Sequence, residues 1–506
     1  MVMDYSAHIW LLVGVVFSFW LVSTAVSWRQ LRHVPGPFFA SVSCLWTPYK
    51  IFRGGGADHL HLRKYGSVVR TGPNQVVIDD PQAFRQLNGA RSLAHRDTWY
   101  SMSKLDPEQD ATFSSLEIGP HDRLKAKAAP GYSGRDGGVD FEAAVDRTIK
   151  YFIDAIRQRH LSSSSTKGGG GDDDDDLVEV DFAHLVRYFT LDLITDVGYG
   201  QRFGFLDGKD DEYRYTHGVE QFEAVTPMLA EIPPLRHLLA APIVAPLLAP
   251  KPEDKYGMGR VAGIARTIIR RRFADDAKDR GDMIGAFMRS GMSQKETLAE
   301  SFVQILAGSD TTAVVIRTTM LHIMTAPLVY QRLKCDIEAA GVDKSSPISN
   351  EQAKSLPYFQ AVMWEGFRMG PPLLYGLFKV LPPGGATLCG VPLPGGTSVG
   401  ANNIAMMRRT DIFGRDAHLF RPERFLECDE EARKERVRTV ELLFGFGRWQ
   451  CAGKNLAMIE LNKIYFELLR AFDFQIVNPG KAWEVKSTTV SIQSKMWVKI
   501  TDASDG

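Results

Sequence analysis

A glycine-rich loop around Cys451 constrains this chain more than any other feature of its sequence. The segment FGFGRWQCAG occupies residues 444–453 and leads directly into an apolar helical run. Glycines allow tight turns that point backbone N–H groups at one atom, and a following helix brings its positive N-terminal end close. Both features stabilise a thiolate in a poorly solvated place. We therefore expect Cys451 to ligate a metal rather than to fill space.

The other four cysteines carry no comparable pattern. Cys44, Cys335, Cys389 and Cys428 are scattered, and the total of five is odd. No CxxC or CxxH spacing is present, so neither a disulfide framework nor a structural zinc site is predicted. We interpret these four as small buried apolar residues in a protein of a reducing compartment.

Charge balance excludes one class of partner. Lys plus Arg and Asp plus Glu both number 60, so the formal net charge is zero. No global field attracts the chain to nucleic acid. Apolar residues make up 44% of the chain, enough for a sizeable core.

The amino terminus predicts a membrane anchor. Residues 9–26 are uncharged and apolar, long enough to approach the ~30 Å hydrocarbon core, and we assign the anchor to 9–28. Basic residues follow at once, so residues 1–8 are expected in the lumen and the rest of the chain in the cytosol. Residues 29–37 contain Pro-Gly-Pro and predict a stiff hinge. The alternative is a cleaved signal peptide, but no basic region precedes the span and no small-residue cleavage site follows it.

The remaining chain, 38–506, is predicted to be one mostly helical catalytic domain with a minor β region. Residues 68–80 read as two strands around a Gly-Pro-Asn turn, helical patterns dominate from 121 to 370, and short strands follow over 380–400. Residues 162–176 (SSSSTKGGGGDDDDD) have nothing apolar to bury and predict a disordered loop. Their aspartates lack the spacing of a calcium loop.

A long helix and a charged pair precede the cysteine loop. Ser293 to Glu296 form a capping box, so a helix should begin near Gln294 and run through AGSDTT at 307–312. Gly and paired Thr inside a helix break local rules, which suggests either function or a kink with back-bonded hydroxyls. Downstream, Glu365 and Arg368 lie three apart and can pair on one helix face.

Together these segments resemble the cytochrome P450 superfamily. The loop resembles its heme-binding signature, Glu365–Arg368 its ExxR motif, residues 422–425 (PERF) its PERF segment, and AGSDTT its oxygen-activation motif. The resemblance implies a P450 fold with heme b ligated by Cys451, beside Phe444 and Gly445. It implies a structural triad of Glu365, Arg368 and Arg424. It also implies that Thr311 and Asp310 deliver protons to dioxygen chemistry.

Other positions depart from the family pattern. His121 and Lys125 stand where Trp-x-x-x-Arg usually binds a heme propionate, and Lys379 replaces an expected arginine. Arg448 stands three before the cysteine, with Trp449 in the usual basic position. These four basic residues, His121, Lys125, Lys379 and Arg448, are expected near the cofactor, although Lys lacks the bidentate fork of Arg. The pattern is similar to fungal secondary-metabolite members.

The resemblance implies a monooxygenase of the endoplasmic reticulum membrane that oxidises an apolar small molecule. No dinucleotide-binding GxGxxG follows a strand, so electrons are expected from an NADPH-dependent P450 reductase. A basic patch on the cysteine side could dock it, or could be ordinary solvated surface: Arg123, Lys125, Lys127, Arg448 and Lys454. The rival functions are a heme-thiolate isomerase that needs no electrons and a heme protein that only binds a ligand. Residues predicted to line the pocket are Trp99, Tyr100, Phe113, Phe302, Leu306, Leu373, Leu374 and Ile492.

Overall fold

The computed structural model describes residues 14, 18, 21–54, 56–134, 138–161, 178–207, 214–274 and 280–503. The expected lumenal residues 1–8, much of the expected anchor 9–28 and the loop 162–176 lie outside the described residues. Among the residues that are described, no single helix is long and apolar enough to cross a membrane. Only the helices Gln294–Met324 and Pro327–Ala339 pass that test, taken together across a 106° bend.

Helices form most of the described structure. Residues 21–31 are helical, and nineteen further α-helices are described. They are α1 Phe38–Val42, α2 Trp46–Gly54, α3 Pro81–Asn88, α4 Ile118–Ser133, α5 Phe141–Arg159, α6 Phe182–Tyr199, α7 Tyr215–Ala230, α8 Pro233–Leu239, α9 Ala245–Leu248, α10 Gly257–Arg272, α11 Met283–Arg289, α12 Gln294–Met324, α13 Pro327–Ala339, α14 Asn350–Lys354, α15 Pro357–Met369, α16 Asn403–Met406, α17 Thr410–Phe413, α18 Glu430–Val440 and α19 Lys454–Ala471.

The minor β region comprises small sheets. The strands are β1 Val68–Gly72, β2 Gln75–Ile78, β3 His95–Arg96, β4 Glu179–Asp181, β5 Gly376–Val380, β6 Ala386–Leu388, β7 Val391–Leu393, β8 Ser398–Ala401, β9 Phe472–Ile476, β10 Glu484–Ser487, β11 Ser491–Ser494 and β12 Trp497–Asp502. One sheet has the order β1-β2-β8-β5-β3, in which only β2 and β8 are parallel. A second has the order β4-β12-β9, and β6-β7 and β10-β11 pair as two-stranded sheets.

Helix α12 lies at the centre of the core. It packs against α6 and α15, while α5 packs against α6 and α19. Buried apolar side chains from these helices form the largest core cluster. The Ser293 hydroxyl accepts from the Glu296 N–H and the Glu296 carboxylate accepts from the Ser293 N–H, which satisfies two free backbone donors at the start of α12. A rigid central helix therefore carries residues 307–312 into the interior.

The sequence-based expectations for the fold are largely confirmed. Strands β1 and β2 pair across the predicted turn, with Val68 opposite Ile78 and Gly72 opposite Gln75. Helix α12 begins where the capping box predicted. The interpretation of the other cysteines as buried was wrong: all five are free thiols, and Cys335 and Cys389 are exposed. Cysteine is apolar enough to be buried, but these residues lie at positions that the core does not reach.

Candidate active site

The cysteine loop has a shape that only its glycines allow. Gly445 and Gly447 have φ values of 76° and 59°, in the left-handed region. A Cβ on Gly445 would lie 2.8 Å from the Trp449 carbonyl oxygen, and one on Gly447 would lie 2.5 Å from the Asn88 carbonyl oxygen. The Cys451 N–H donates to the Phe444 carbonyl oxygen at 2.6 Å. The loop is thereby closed on itself and held against the end of α3.

The Cys451 thiol opens onto an internal cavity of about 370 Å³. Burial raises the pKa of the thiol, while the N–H groups of Gly453 and Lys454 and the charges of Lys125 and Lys454 oppose that rise. Donors at the start of α19 thus point at the sulfur, as the sequence predicted. Phe444 and Gly445 also line the cavity, and the Phe444 ring packs on Phe367 at a centroid distance of 5.0 Å.

Lys125 holds the loop from the other side. Its ammonium group donates to the carbonyl oxygens of Arg448 and Gln450, at 2.6 and 2.7 Å. Lys125 also lines the cavity. It therefore holds the cysteine loop and, at the same time, faces the proposed cofactor position. Its role as a propionate contact stays a prediction.

Two buried cations face each other in the cavity wall. Arg96 on β3 and Lys379 on β5 are direct cross-strand partners, and both line the cavity. Like charges at opposite positions of a sheet repel each other. In the described part of the chain neither forms an ion pair with an acidic side chain; Lys379 donates to the Tyr100 hydroxyl at 3.0 Å. Arg96 Nη1 donates to the carbonyl oxygens of Thr112 and Ser115, whereas the buried Arg96 Nε and Trp449 Nε1 have no hydrogen-bond partner among the described residues. Burial lowers the pKa of Lys379 well below its usual value.

His121 completes this wall as a neutral ring. Burial, and then the charges of Arg96 and Lys125, lower the pKa of His121 to about 4. Its Nδ1 lies 2.9 Å from an Asp122 carboxylate oxygen, and its ring lies 4.3 Å from the Trp449 ring, centroid to centroid. His121 can therefore offer a neutral imidazole edge to the cavity.

Arg448 lies outside the cavity wall. Its Nη1 pairs with Asp122 at 3.1 Å, and its Nη2 donates to the Ala90 carbonyl oxygen. Among the other residues of the predicted basic patch, Lys127 pairs with Glu296 and Lys454 with Glu441. Most of the patch is therefore engaged within the protein. Arg448 as a cofactor contact stays a prediction.

Thr311 and Asp310 point in different directions from α12. Thr311 lines the cavity, and its hydroxyl donates to the Ala307 carbonyl oxygen at 2.7 Å. Helix α12 is uninterrupted through Gly308, so the predicted motif does not break the helix; a Cβ there would lie 2.8 Å from the Ile194 side chain.

Asp310 lies behind that surface, in a buried ion pair. Its Oδ1 is 2.9 Å from Nε of Arg187 on α6, and both side chains are buried. Arg187 also pairs with Glu220 at 2.9 Å, and Glu220 is 29% exposed. A line of charges therefore leads from the residue beside Thr311 toward the surface.

The structure brings Glu365, Arg368 and Arg424 together with no exposure to solvent. Arg368 donates to both Glu365 oxygens at 2.8 and 2.7 Å, and Arg424 donates to them at 3.0 and 3.1 Å. Backbone carbonyl oxygens from residues 407–419 take most of the remaining guanidinium donors. The triad ties α15 to the segment that leads into the cysteine loop.

The cavity fits a heme by the chemistry of its walls. The Cys451 thiol lies at the cavity, and the backbone N–H groups of Gly453 and Lys454 point at its sulfur. In the part of the chain that the structure describes, no acidic side chain supplies a negative charge to the buried Arg96, Lys379 or Trp449 Nε1–H. Two carboxylates, such as heme propionates, would supply that charge.

Sequence reasoning placed most but not all of the pocket. Trp99, Tyr100, Phe113, Leu306 and Leu373 line the cavity, but Phe302, Leu374 and Ile492 do not. Phe302 and Leu374 instead belong to buried core clusters. Arg96 was missed, because its role appears only through its pairing with Lys379.

Comparison with known proteins identifies the class. The family described as "Cytochrome P450" matches residues 59–498. "Cytochrome P450 monooxygenase ABA1" of Pyricularia oryzae is 39% identical over 511 residues, covering 99% of this chain and 98% of that protein. "Cytochrome P450 monooxygenase aba1" of Botryotinia fuckeliana is 39% identical, covering 94% and 92%. "Cytochrome P450 monooxygenase abl1" of Leptosphaeria maculans is 37% identical, covering 93% and 83%. The chain belongs to the cytochrome P450 family and is a monooxygenase.

Proposed function

We propose that this enzyme is a membrane-anchored monooxygenase that inserts one atom of dioxygen into an apolar small molecule in a fungal secondary-metabolite pathway. The observation that carries the proposal is that the Cys451 thiol and the Thr311 hydroxyl open onto one cavity of about 370 Å³. The relatives' names support the reaction class, and their fungal sources support the setting.

Each wall of the cavity has a distinct task. A bound heme supplies the iron chemistry that activates dioxygen and oxidises the substrate. Cys451 is its thiolate ligand, and Arg96, Lys379 and Trp449 hold its carboxylates, with Lys125 and His121 beside them. Thr311 presents a hydroxyl at the reacting face, and Asp310, behind it, passes protons from the Arg187–Glu220 side.

Electrons come from a separate NADPH-dependent P450 reductase, because the sequence carries no dinucleotide-binding motif. Arg123 is exposed on α4, two residues before Lys125, which contacts the cysteine loop. Since Lys127, Arg448 and Lys454 are paired internally, docking there must rest on fewer free charges than the sequence suggested.

The proposed location is the endoplasmic reticulum membrane, with residues 9–28 as the anchor and the catalytic domain in the cytosol. Exposed apolar side chains support contact with a bilayer beyond the anchor. Phe38, Phe39 and Phe52 on α1 and α2 are 69–79% exposed, and Ile243 and Leu247 near α9 are 84% and 71% exposed. Exposed apolar residues in such number mark a membrane or protein contact.

The test follows labelled oxygen. A fungal host expresses the chain or Cys451→Ala under isotopically labelled dioxygen, and small molecules are compared by mass. We expect a product with one labelled oxygen atom that is absent from the Cys451→Ala host. Cys428→Ala is the matched control and should retain the product.

The purified enzyme then separates the rival functions. With added reductase it should consume NADPH and dioxygen when the substrate is supplied. Thr311→Val should keep the consumption but release less product per NADPH. Product formation without an electron supply would show an isomerase, and binding without turnover would show a ligand-binding protein.

A further inference from the structure

A buried carboxyl group lies in the wall of the cavity. Glu223 on α7 lines the cavity and is only 8% exposed. Within the described residues its side chain takes part in no hydrogen bond and no ion pair within 4 Å. Most other lining residues are apolar, and a polar group without a partner in such a place is costly unless a ligand satisfies it.

The backbone at Glu223 is held in place where one helical hydrogen bond of α7 is missing. Pro227 lies inside α7 and has no N–H, so the Glu223 carbonyl oxygen loses its helical partner four residues on. The Thr488 hydroxyl, between β10 and β11, donates to that oxygen at 2.9 Å instead. A side chain from another part of the fold therefore locks α7 where Glu223 faces the cavity.

The charges around Glu223 favour its neutral form. Burial, and then the Asp310 carboxylate, raise the pKa of Glu223 well above its usual value, while Arg187 and Arg317 oppose the rise. Two acids, Asp310 and Glu220, both pair with Arg187, and together they match in number the positive charges of Arg187 and Arg317. A neutral Glu223 leaves the cluster without net charge and turns the carboxyl group into a hydrogen-bond donor.

We propose that Glu223 determines substrate specificity, by donating a hydrogen bond to an oxygen function on an otherwise apolar substrate. The substrate class is thus an apolar molecule that already carries a hydroxyl, carbonyl or carboxyl oxygen. The hydrogen bond fixes which end of that molecule faces Cys451. This proposal rests on the proposed function, because it names the substrate class of the same cavity.

The test uses three probes of one chain length on the heme-loaded enzyme: octan-2-one, octane and octyltrimethylammonium. Binding of the two volatile probes is measured by headspace partitioning and that of the ammonium by equilibrium dialysis. In Glu223→Leu we expect octan-2-one to bind roughly five- to tenfold more weakly, the effect of one hydrogen bond, and octane to bind no more weakly. Glu223→Gln keeps an N–H donor and should retain most of the ketone affinity. Gln221→Leu, an exposed change on the same helix, should alter neither.

Two results would overturn the proposal. One is unchanged ketone binding in Glu223→Leu. The other is ammonium binding that depends on Glu223, which would show an ionised carboxylate that recognises a cation. Each variant is also reduced and treated with carbon monoxide. If the wild type lacks the thiolate-type spectrum, the proposed function fails. If the wild type shows that spectrum but ketone binding does not depend on Glu223, only the present proposal fails.

Discussion

Two buried clusters of basic side chains in this protein differ in how their positive charges are balanced. In the triad, Arg368 and Arg424 share the Glu365 carboxylate, Arg424 also pairs with Asp416 at 2.9 Å, and backbone oxygens take most of their remaining donors. In the cavity wall, Arg96 and Lys379 stand opposite each other on adjacent strands with no acidic partner in the described chain. Both groups are almost fully buried. The triad is complete within the protein, whereas we propose that a bound anion completes the cavity pair.

The largest expected effect comes from breaking the triad. Glu365→Gln keeps the size of the side chain but removes the counter-charge of the buried Arg368 and one of the two carboxylates that pair with Arg424. We expect the free energy of unfolding to fall by about 3–5 kcal/mol, measured by urea unfolding of the heme-loaded enzyme. Glu351→Gln is the control, because it breaks an exposed pair with Lys354 and should cost less than ~1 kcal/mol. Equal losses of unfolding free energy in the two variants would show that the triad does not stabilise the fold.

Removing a cavity cation should act on the heme rather than on the fold. Arg96→Met deletes a charge that has no acidic partner in the described chain, but it also removes the hydrogen bonds from Arg96 Nη1 to the carbonyl oxygens of Thr112 and Ser115, so we expect a modest loss of stability. Heme should leave the variant roughly thirtyfold faster or more, as for loss of one partner of a buried charge pair. The measurement is heme transfer to a scavenging apoprotein, with Arg85→Met, which breaks a surface pair with Glu435, as control. Severe unfolding with normal heme retention would contradict the comparison.

Lys379→Met should show the same pattern more weakly. Lys379 is a point charge without the bidentate fork, and it already donates to Tyr100. We expect roughly tenfold faster heme transfer, about 1.4 kcal/mol. Lys379→Arg should restore retention, which tests whether charge or shape holds the heme.

The smallest expected effect is on pH dependence, through His121. The folded ring stays neutral down to a pKa of about 4, whereas the ordinary value is 6.5. Between these values the unfolded state binds more protons, so the contribution of His121 to stability is full above about pH 6.5 and is lost as the pH falls toward 4. His121→Asn should flatten that part of the pH profile of unfolding relative to wild type. A profile unchanged from wild type would show that His121 is not held neutral.

The sequence predicted the parts of the site that depend on local spacing. Cys451, the loop glycines, the α12 capping box and the Glu365–Arg368 pair all lie within one turn or one loop of their partners. Short-range geometry alone is enough to place them. The structure adds that Thr311 faces the cavity while Asp310 faces Arg187.

The parts that were missed depend on contacts between distant segments. The role of Arg96 depends on Lys379, which lies far along the chain and is its direct partner on the adjacent strand. Glu223 depends on Pro227 nearby but also on Thr488 from another part of the fold. Residues of this kind carry no spacing signal, because their partners are chosen by the tertiary fold.

The central claim is that the Cys451 thiolate ligates the heme iron, and the spectrum of the reduced, carbon-monoxide-bound protein tests it most directly. Wild type and Cys428→Ala should both show the red-shifted band of a thiolate-ligated heme, because Cys428 lies outside the cavity. Cys451→Ala should lose that band. A Cys451→Ala protein that kept the red-shifted band would contradict the assignment.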